Sequence, residues 1–168
     1  RLEKEPPRLL TGQVFNELLE NYFVVMSSLV VRRSAHDAIG GFSKKYHIIG
    51  DFDLVTKLAL HGKCGIEYDF LTDIKKHNNN ESSIKSSLQA QEILEWKMCN
   101  AELLNKANPN SRDKLIKNIE YSCIVNDIES KNVSINTFKM FLKQRPLNIL
   151  KAIFKYIQSY IPFSEKMY

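Results

Sequence analysis

Residues 22–31, Tyr-Phe-Val-Val-Met-Ser-Ser-Leu-Val-Val, are mostly β-branched or aromatic on both parities, the pattern of a strand covered on two faces. Before them, Phe15, Leu18 and Leu19 share one face of a short predicted helix. After them, Ser34 is placed to cap a helix over 35–39. Gly40-Gly41 ends it, because glycine accepts the left-handed backbone beyond a helix C-terminus, and Phe42 then folds back. A further helix is predicted from Asp51 to His61, with Leu54, Leu58 and either Val55 or Ala59 inward and Gly62 as its stop. Acidic residues at its start complement the helix dipole. Residues 64–71 predict one or two short strands, and the polar run 75–83 predicts a loop.

From about Ser83 onward the periodicity is helical throughout. Ile84, Leu88, Leu94, Met98 and Ala101 fall on one face, and Asn108-Pro109-Asn110 breaks the run. Ser111 is placed to cap the next helix, carried by Leu115, Ile119, Cys123 and Ile128. Helices over 135–142 and 147–161 follow, the last opened by Pro146. That helix sets Leu147, Leu150, Phe154, Ile157 and Ile161 on one stripe and Lys151 and Lys155 on another side. Such a stripe usually packs on a core; the other reading is a helix lying on an anionic membrane surface. No fixed repeat is visible, which argues against a solenoid.

At 168 residues, 43% hydrophobic and 26% charged, the chain has the makings of one folded domain with appendages rather than a disordered or fibrous protein. It opens on Arg1 without the apolar core of a signal peptide, so the start of the protein is expected upstream. No apolar run reaches the roughly 18 residues of a membrane span. Cys64, Cys99 and Cys123 are widely spaced and lack metal-ligand partners, which fits a reducing cytoplasm. The net charge of +5 suits a phosphate-bearing ligand or an anionic membrane face. Basic residues are dispersed without a stacking-aromatic motif, so nucleic acid is not expected as a partner.

Three segments occur in a meaningful order. Ser27-Ser28-Leu29-Val30-Val31-Arg32-Arg33-Ser34 leads to Ile39-Gly40-Gly41-Phe42; Gly50-Asp51-Phe52-Asp53-Leu54 follows, and then Lys76-His77-Asn78-Asn79-Asn80-Glu81-Ser82. Over residues 18–83 this resembles the acceptor-side half of inverting family 2 glycosyltransferases. The resemblance implies an α/β fold, a partial GT-A mixed-sheet remnant over 1–83, followed by a mainly helical extension over 84–168.

The resemblance also implies chemistry. Asp51 is the general base that takes the proton from an acceptor hydroxyl as it attacks a nucleotide-sugar, and Asp53 positions or binds substrate. Arg32, Arg33, Lys75, Lys76 and Asn80 contact donor or acceptor, with the bland alternative that an arginine pairs with an acidic residue of the following helix. His77 approaches the diphosphate or its divalent metal, Mg or Mn. The implied partners are a nucleotide-sugar donor and a glycan or lipid-linked acceptor, in the cytoplasm and on the inner face of the membrane. Two positions depart from the family pattern: Gly50 stands where Glu is common, and Lys75 where Arg is usual. They favour the competing reading, a noncatalytic interaction or membrane-docking module carrying a degenerate transferase remnant.

The family's nucleotide-binding half, which ends in an Asp-x-Asp motif, has no counterpart among the 168 residues. This chain is therefore expected to bind nucleotide-sugars more weakly than micromolar. Titration calorimetry with Mg or Mn and a panel of nucleotide-sugars checks this; a micromolar Kd contradicts it.

Overall fold

The computed structural model describes residues 11–67, 69, 71–73, 86–144 and 146–160. Among them every regular element is a helix: α1 (Phe15–Glu20), a 3-10 turn (Met26–Ser28), α2 (Arg33–Ala38), α3 (Gly50–His61), α4 (Ser86–Cys99), α5 (Ala101–Asn105), α6 (Pro109–Glu129), α7 (Ile135–Leu142) and α8 (Pro146–Tyr160). The expected α/β fold with a mixed-sheet remnant is therefore corrected to a helical one. Residues 22–31 show why the pattern misled. Val25 and Leu29 do have extended backbone, but β-branched sequence makes a strand only where a neighbour takes up its amide and carbonyl groups. Among the described residues no such neighbour is present, and the chain turns through the 3-10 segment instead. Of the strands expected over 64–71, one antiparallel bridge remains, Gly12 to Cys64, with both N···O distances 2.8 Å.

α6 is the axis. α1, α4, α7 and α8 all pack on it, and α1 also packs on α3. The main core joins Val14, Phe15, Leu18 and Leu19 to Ile49, Phe52, Val55 and Ala59 of the α3 region, Trp96 of α4, Leu103 and Leu104 of α5, and Leu115, Ile119 and Cys123 of α6. It thus draws on residues from both sides of position 84. A smaller cluster around Ile124, Ile128 and Ala152 seats α7 and α8 on the far half of α6.

Local chemistry fixes the ends of these helices. Asn108, not Ser111, caps α6: its Oδ1 accepts from the Ser111 amide at 2.8 Å, with Pro109 in the first turn. Ser111 is buried and donates its hydroxyl to Glu20 at 2.6 Å, while Lys114 reaches the other Glu20 oxygen at 3.1 Å. The end of α1 is thereby tied to the start of α6. Ser134 and Thr137 form a capping box on α7. α2 begins at Arg33 without a side-chain cap, so Ser34 is not the cap expected of it. Gly40 and Gly41 are left-handed (φ 80° and 68°), and a Cβ on Gly41 would meet the His36 imidazole at 2.7 Å. Phe42 does return to α2, its ring 6.1 Å from that of His36.

Two predicted faces are corrected. In α4, Leu94 and Met98 are exposed and Ala90, Glu92 and Trp96 are buried instead; Ile84 lies outside the described residues. In α8, Ala152 faces inward and Leu147, Leu150 and Phe154 face out; Ile161 lies outside the described residues. In α3, Leu54, Val55 and Ala59 are buried as expected, while Leu58 is half-buried.

α3 and α4 are joined by a polar bond inside the core. Asp53 and Trp96 are both wholly buried, and the indole Nε1 donates to Asp53 Oδ1 at 2.8 Å. Lys57 donates to Asp53 Oδ2 at 2.7 Å, and the Trp96 ring meets the edge of Phe52 with centroids 4.8 Å apart. Asp53→Ala leaves a buried indole donor without an acceptor and Lys57 without its partner, a loss of about 2–4 kcal/mol. Asp53→Asn keeps an acceptor for the indole and is expected to lose less. Urea denaturation measures both; an alanine variant as stable as the parent contradicts the assignment.

Candidate functional site

Asp51 stands in the first turn of α3, half-buried. Asp53 is two positions on, about 200° around the helix at 3.6 residues per turn, so the two carboxylates face different surroundings. Asp53 faces Trp96. Asp51 lies in the wall of an open cavity of about 550 Å³ lined by α1, the α3 N-terminus, α4 and α6. Its Oδ1 accepts from the Phe52 amide at 2.7 Å.

Tyr22 is the notable neighbour. Its ring packs edge-on against Phe52, centroids 5.4 Å apart, and its buried hydroxyl lies beside the Asp51 carboxylate, without a well-aligned hydrogen bond to any described residue. Burial first, then the charge of the Asp51 carboxylate and hydrogen bonding toward it, push the Tyr22 hydroxyl far above the ordinary phenol range. It therefore stays protonated and remains a donor. A buried hydroxyl without a well-aligned partner is rare in folded proteins and marks a place where a water or ligand completes the bonding. The opposite wall comes from α6, where Asn118, Ser122 and Asn126 follow one another at i, i+4 and i+8 along the cavity, with Glu129 at its end. Lys155 of α8 also lines that end and is ion-paired to Glu129 at 2.6 Å.

The approach to α3 is held from outside. Glu92 of α4 is buried and accepts from the amides of His47 (2.8 Å), Ile48 (2.8 Å) and Ile49 (3.1 Å). This matters because Ile49, the residue before α3, offers no side-chain cap. One carboxylate from another helix thus fixes the three residues that lead into the turn carrying Asp51. Burial alone would raise the Glu92 carboxyl, but the three backbone donors outweigh it and hold it below its ordinary 4.5.

The other residues marked in the sequence fall elsewhere. Arg32 and Arg33 are exposed at the start of α2 and do not line the cavity. Arg33 pairs with Asp37 one turn on, at 2.7 Å, which is the bland alternative for an arginine here. α2 borders a separate hollow of about 520 Å³ against Lys57, Leu58 and His61. Asp53 has both oxygens engaged inside the core and is out of reach of a substrate. Lys75, Lys76, His77 and Asn80 lie outside the described residues. The described residues contain no group of three or more His, Cys, Asp or Glu arranged to hold a metal ion.

Sequence reasoning passed over Tyr22, Glu92 and the α6 stripe. Tyr22 was absorbed into a strand. The stripe had a visible signal, since Asn118, Ser122 and Asn126 recur every four residues on a helix whose next face is Leu115, Ile119 and Cys123. Comparison of the chain with known protein families, curated proteins and solved structures gives no match. No described helix is long and apolar enough to cross a membrane.

Because its native pKa is depressed, Glu92 contributes stability that is complete above its unfolded value near 4.5 and is lost as pH falls through the native value. Glu92→Gln is expected to cost about 1–3 kcal/mol at neutral pH and to flatten the fall in stability below pH 4.5. Urea titrations of both proteins across the acid range check this; parallel pH profiles contradict it.

Proposed function

We propose that this chain carries the acceptor side of an inverting glycosyl transfer, with Asp51 as the base. One observation carries the reading: Asp51, a carboxylate at a helix N-terminus, and Tyr22, whose buried hydroxyl lies beside that carboxylate, line the same cavity. The pair suits an alcohol. A sugar hydroxyl placed between them accepts from Tyr22 and donates to Asp51, two bonds that orient its oxygen lone pair outward for attack. As the oxygen bonds to the anomeric carbon of a donor sugar and the nucleoside diphosphate departs, Asp51 takes the hydroxyl proton. A single displacement of this kind inverts the sugar's configuration. Asn118, Ser122 and Asn126 supply amide and hydroxyl groups of the kind that bind the remaining hydroxyls of a glycan.

The nucleotide-sugar and its divalent cation belong, in this reading, to a nucleotide-binding partner or region outside the described residues. The ordered motifs around Gly40-Gly41-Phe42 and Asp51-Phe52-Asp53-Leu54 support the same assignment, although Asp53 serves the core rather than the substrate.

Binding and chemistry separate cleanly in two variants. Tyr22→Phe removes a donor to the acceptor and is expected to weaken binding of hexoses and N-acetylhexosamine disaccharides about tenfold, read by saturation-transfer NMR. Asp51→Asn keeps that binding within a fewfold but abolishes formation of the glycan in cells that depend on this protein. Normal glycan from the Asp51→Asn strain, at normal protein level, rules the base assignment out.

A further inference from the structure

α7 and α8 carry the same spacing of side chains. Ile135, Phe138, Lys139 and Leu142 stand at i, i+3, i+4 and i+7 in α7; Leu147, Leu150, Lys151 and Phe154 stand at the same intervals in α8. All six apolar members are between 58% and 77% exposed, and both lysines are exposed. Inward, α7 packs through buried Thr137 with the partly buried Met140 and Phe141, and α8 through buried Ala152. Each helix thus carries, besides the side that packs on α6, a second stripe of three large apolar side chains turned to solvent. Exposed apolar stripes of this size mark an interaction surface.

Charge selects the partner. Between Glu129 and Glu165 the sequence has no acidic residue and six basic ones, Lys131, Lys139, Lys143, Arg145, Lys151 and Lys155. The whole chain carries only +5, so the net positive charge resides in this stretch, which lacks acidic residues, and the dispersed charges of the remainder nearly cancel. A lysine beside each apolar stripe suits a surface that is apolar beneath and anionic at its boundary. A second copy of the chain would bring like charges together around the same face. Neither helix can span a bilayer, since no described helix is long and apolar enough; both have the amphipathic character of helices that lie in the plane of the interface.

We infer that α7 and α8 together form a docking surface for an anionic lipid bilayer, with Phe138, Leu142, Leu150 and Phe154 entering the interface and Lys139, Lys143 and Lys151 contacting lipid phosphates. The inference stands independently of the role of Asp51. It concerns two helices rather than the last one alone, and it explains why these large apolar residues face outward.

Flotation of the full chain tests it with two kinds of vesicle, phosphatidylcholine alone and phosphatidylcholine mixed with phosphatidylglycerol. The protein is expected to float with the mixed vesicles and to be released by high salt, as contacts of lysine with anionic lipid require. The double variants Phe138→Ser/Phe154→Ser and Lys139→Glu/Lys151→Glu should each lower the partition coefficient about tenfold or more. These side chains are exposed, so far-UV circular dichroism should be unchanged. Absence of flotation, equal flotation with neutral vesicles, or unaltered binding by both variants overturns the inference. So does a concentration-dependent dimer, seen by light scattering, that the Phe138→Ser/Phe154→Ser variant abolishes.

Discussion

The hydrogen bond from the Trp96 indole to Asp53 sets the rotation of α3 about its own axis, and the other features near it depend on that rotation. A wholly buried carboxylate is costly unless every oxygen is engaged, and Asp53 meets that condition through Trp96 and Lys57. With Asp53 directed into the core, Phe52 meets both Trp96 and Tyr22, and Asp51 is turned toward the cavity. Glu92, one helical turn before Trp96 on the same helix, holds the backbone entering α3. α4 therefore grips α3 twice, by its first turn and by the residues preceding it. The pair of carboxylates at positions 51 and 53 thus divides into one structural and one accessible group.

That division bears on the proposed chemistry. A base must be held still yet reach its substrate, and Asp51 is positioned by groups that are themselves buried and out of the cavity. The long helix α6 then contributes in two ways. Its apolar side carries the core through Leu115, Ile119 and Cys123, and its polar stripe from Asn118 to Asn126 borders the cavity. Lys155 connects this cavity to the outward-facing end of the molecule, since it lines the cavity and belongs to α8.

The helices were legible where apolar spacing and local chemistry agreed. α7 matches its expected bounds, α1, α3 and α8 lie within a residue or two of theirs, and α6 begins three residues before the start that a Ser111 cap implies. The failures have identifiable physical origins. Residues 22–31 have strand composition, but composition does not supply a pairing partner. The inner face of α4 was chosen by Glu92 and Trp96, whose burial depends on partners more than forty residues earlier, and a periodicity search counts Leu94 and Met98 instead. α8 was assigned an apolar stripe correctly, but the side that packs is Ala152. In the candidate site, Asp51 was visible through its motif, while Tyr22 becomes notable only when its buried hydroxyl is seen beside that carboxylate.

The chain has one tryptophan, so the central bond has a spectroscopic signal of its own. Hydrogen–deuterium exchange of the Trp96 indole N–H, followed by NMR, reports directly on its bond to Asp53. The account predicts an indole proton protected to the level of the core amides and exposed to rapid exchange in the Asp53→Ala variant. An indole proton that exchanges as fast as that of free tryptophan in the parent protein would contradict it.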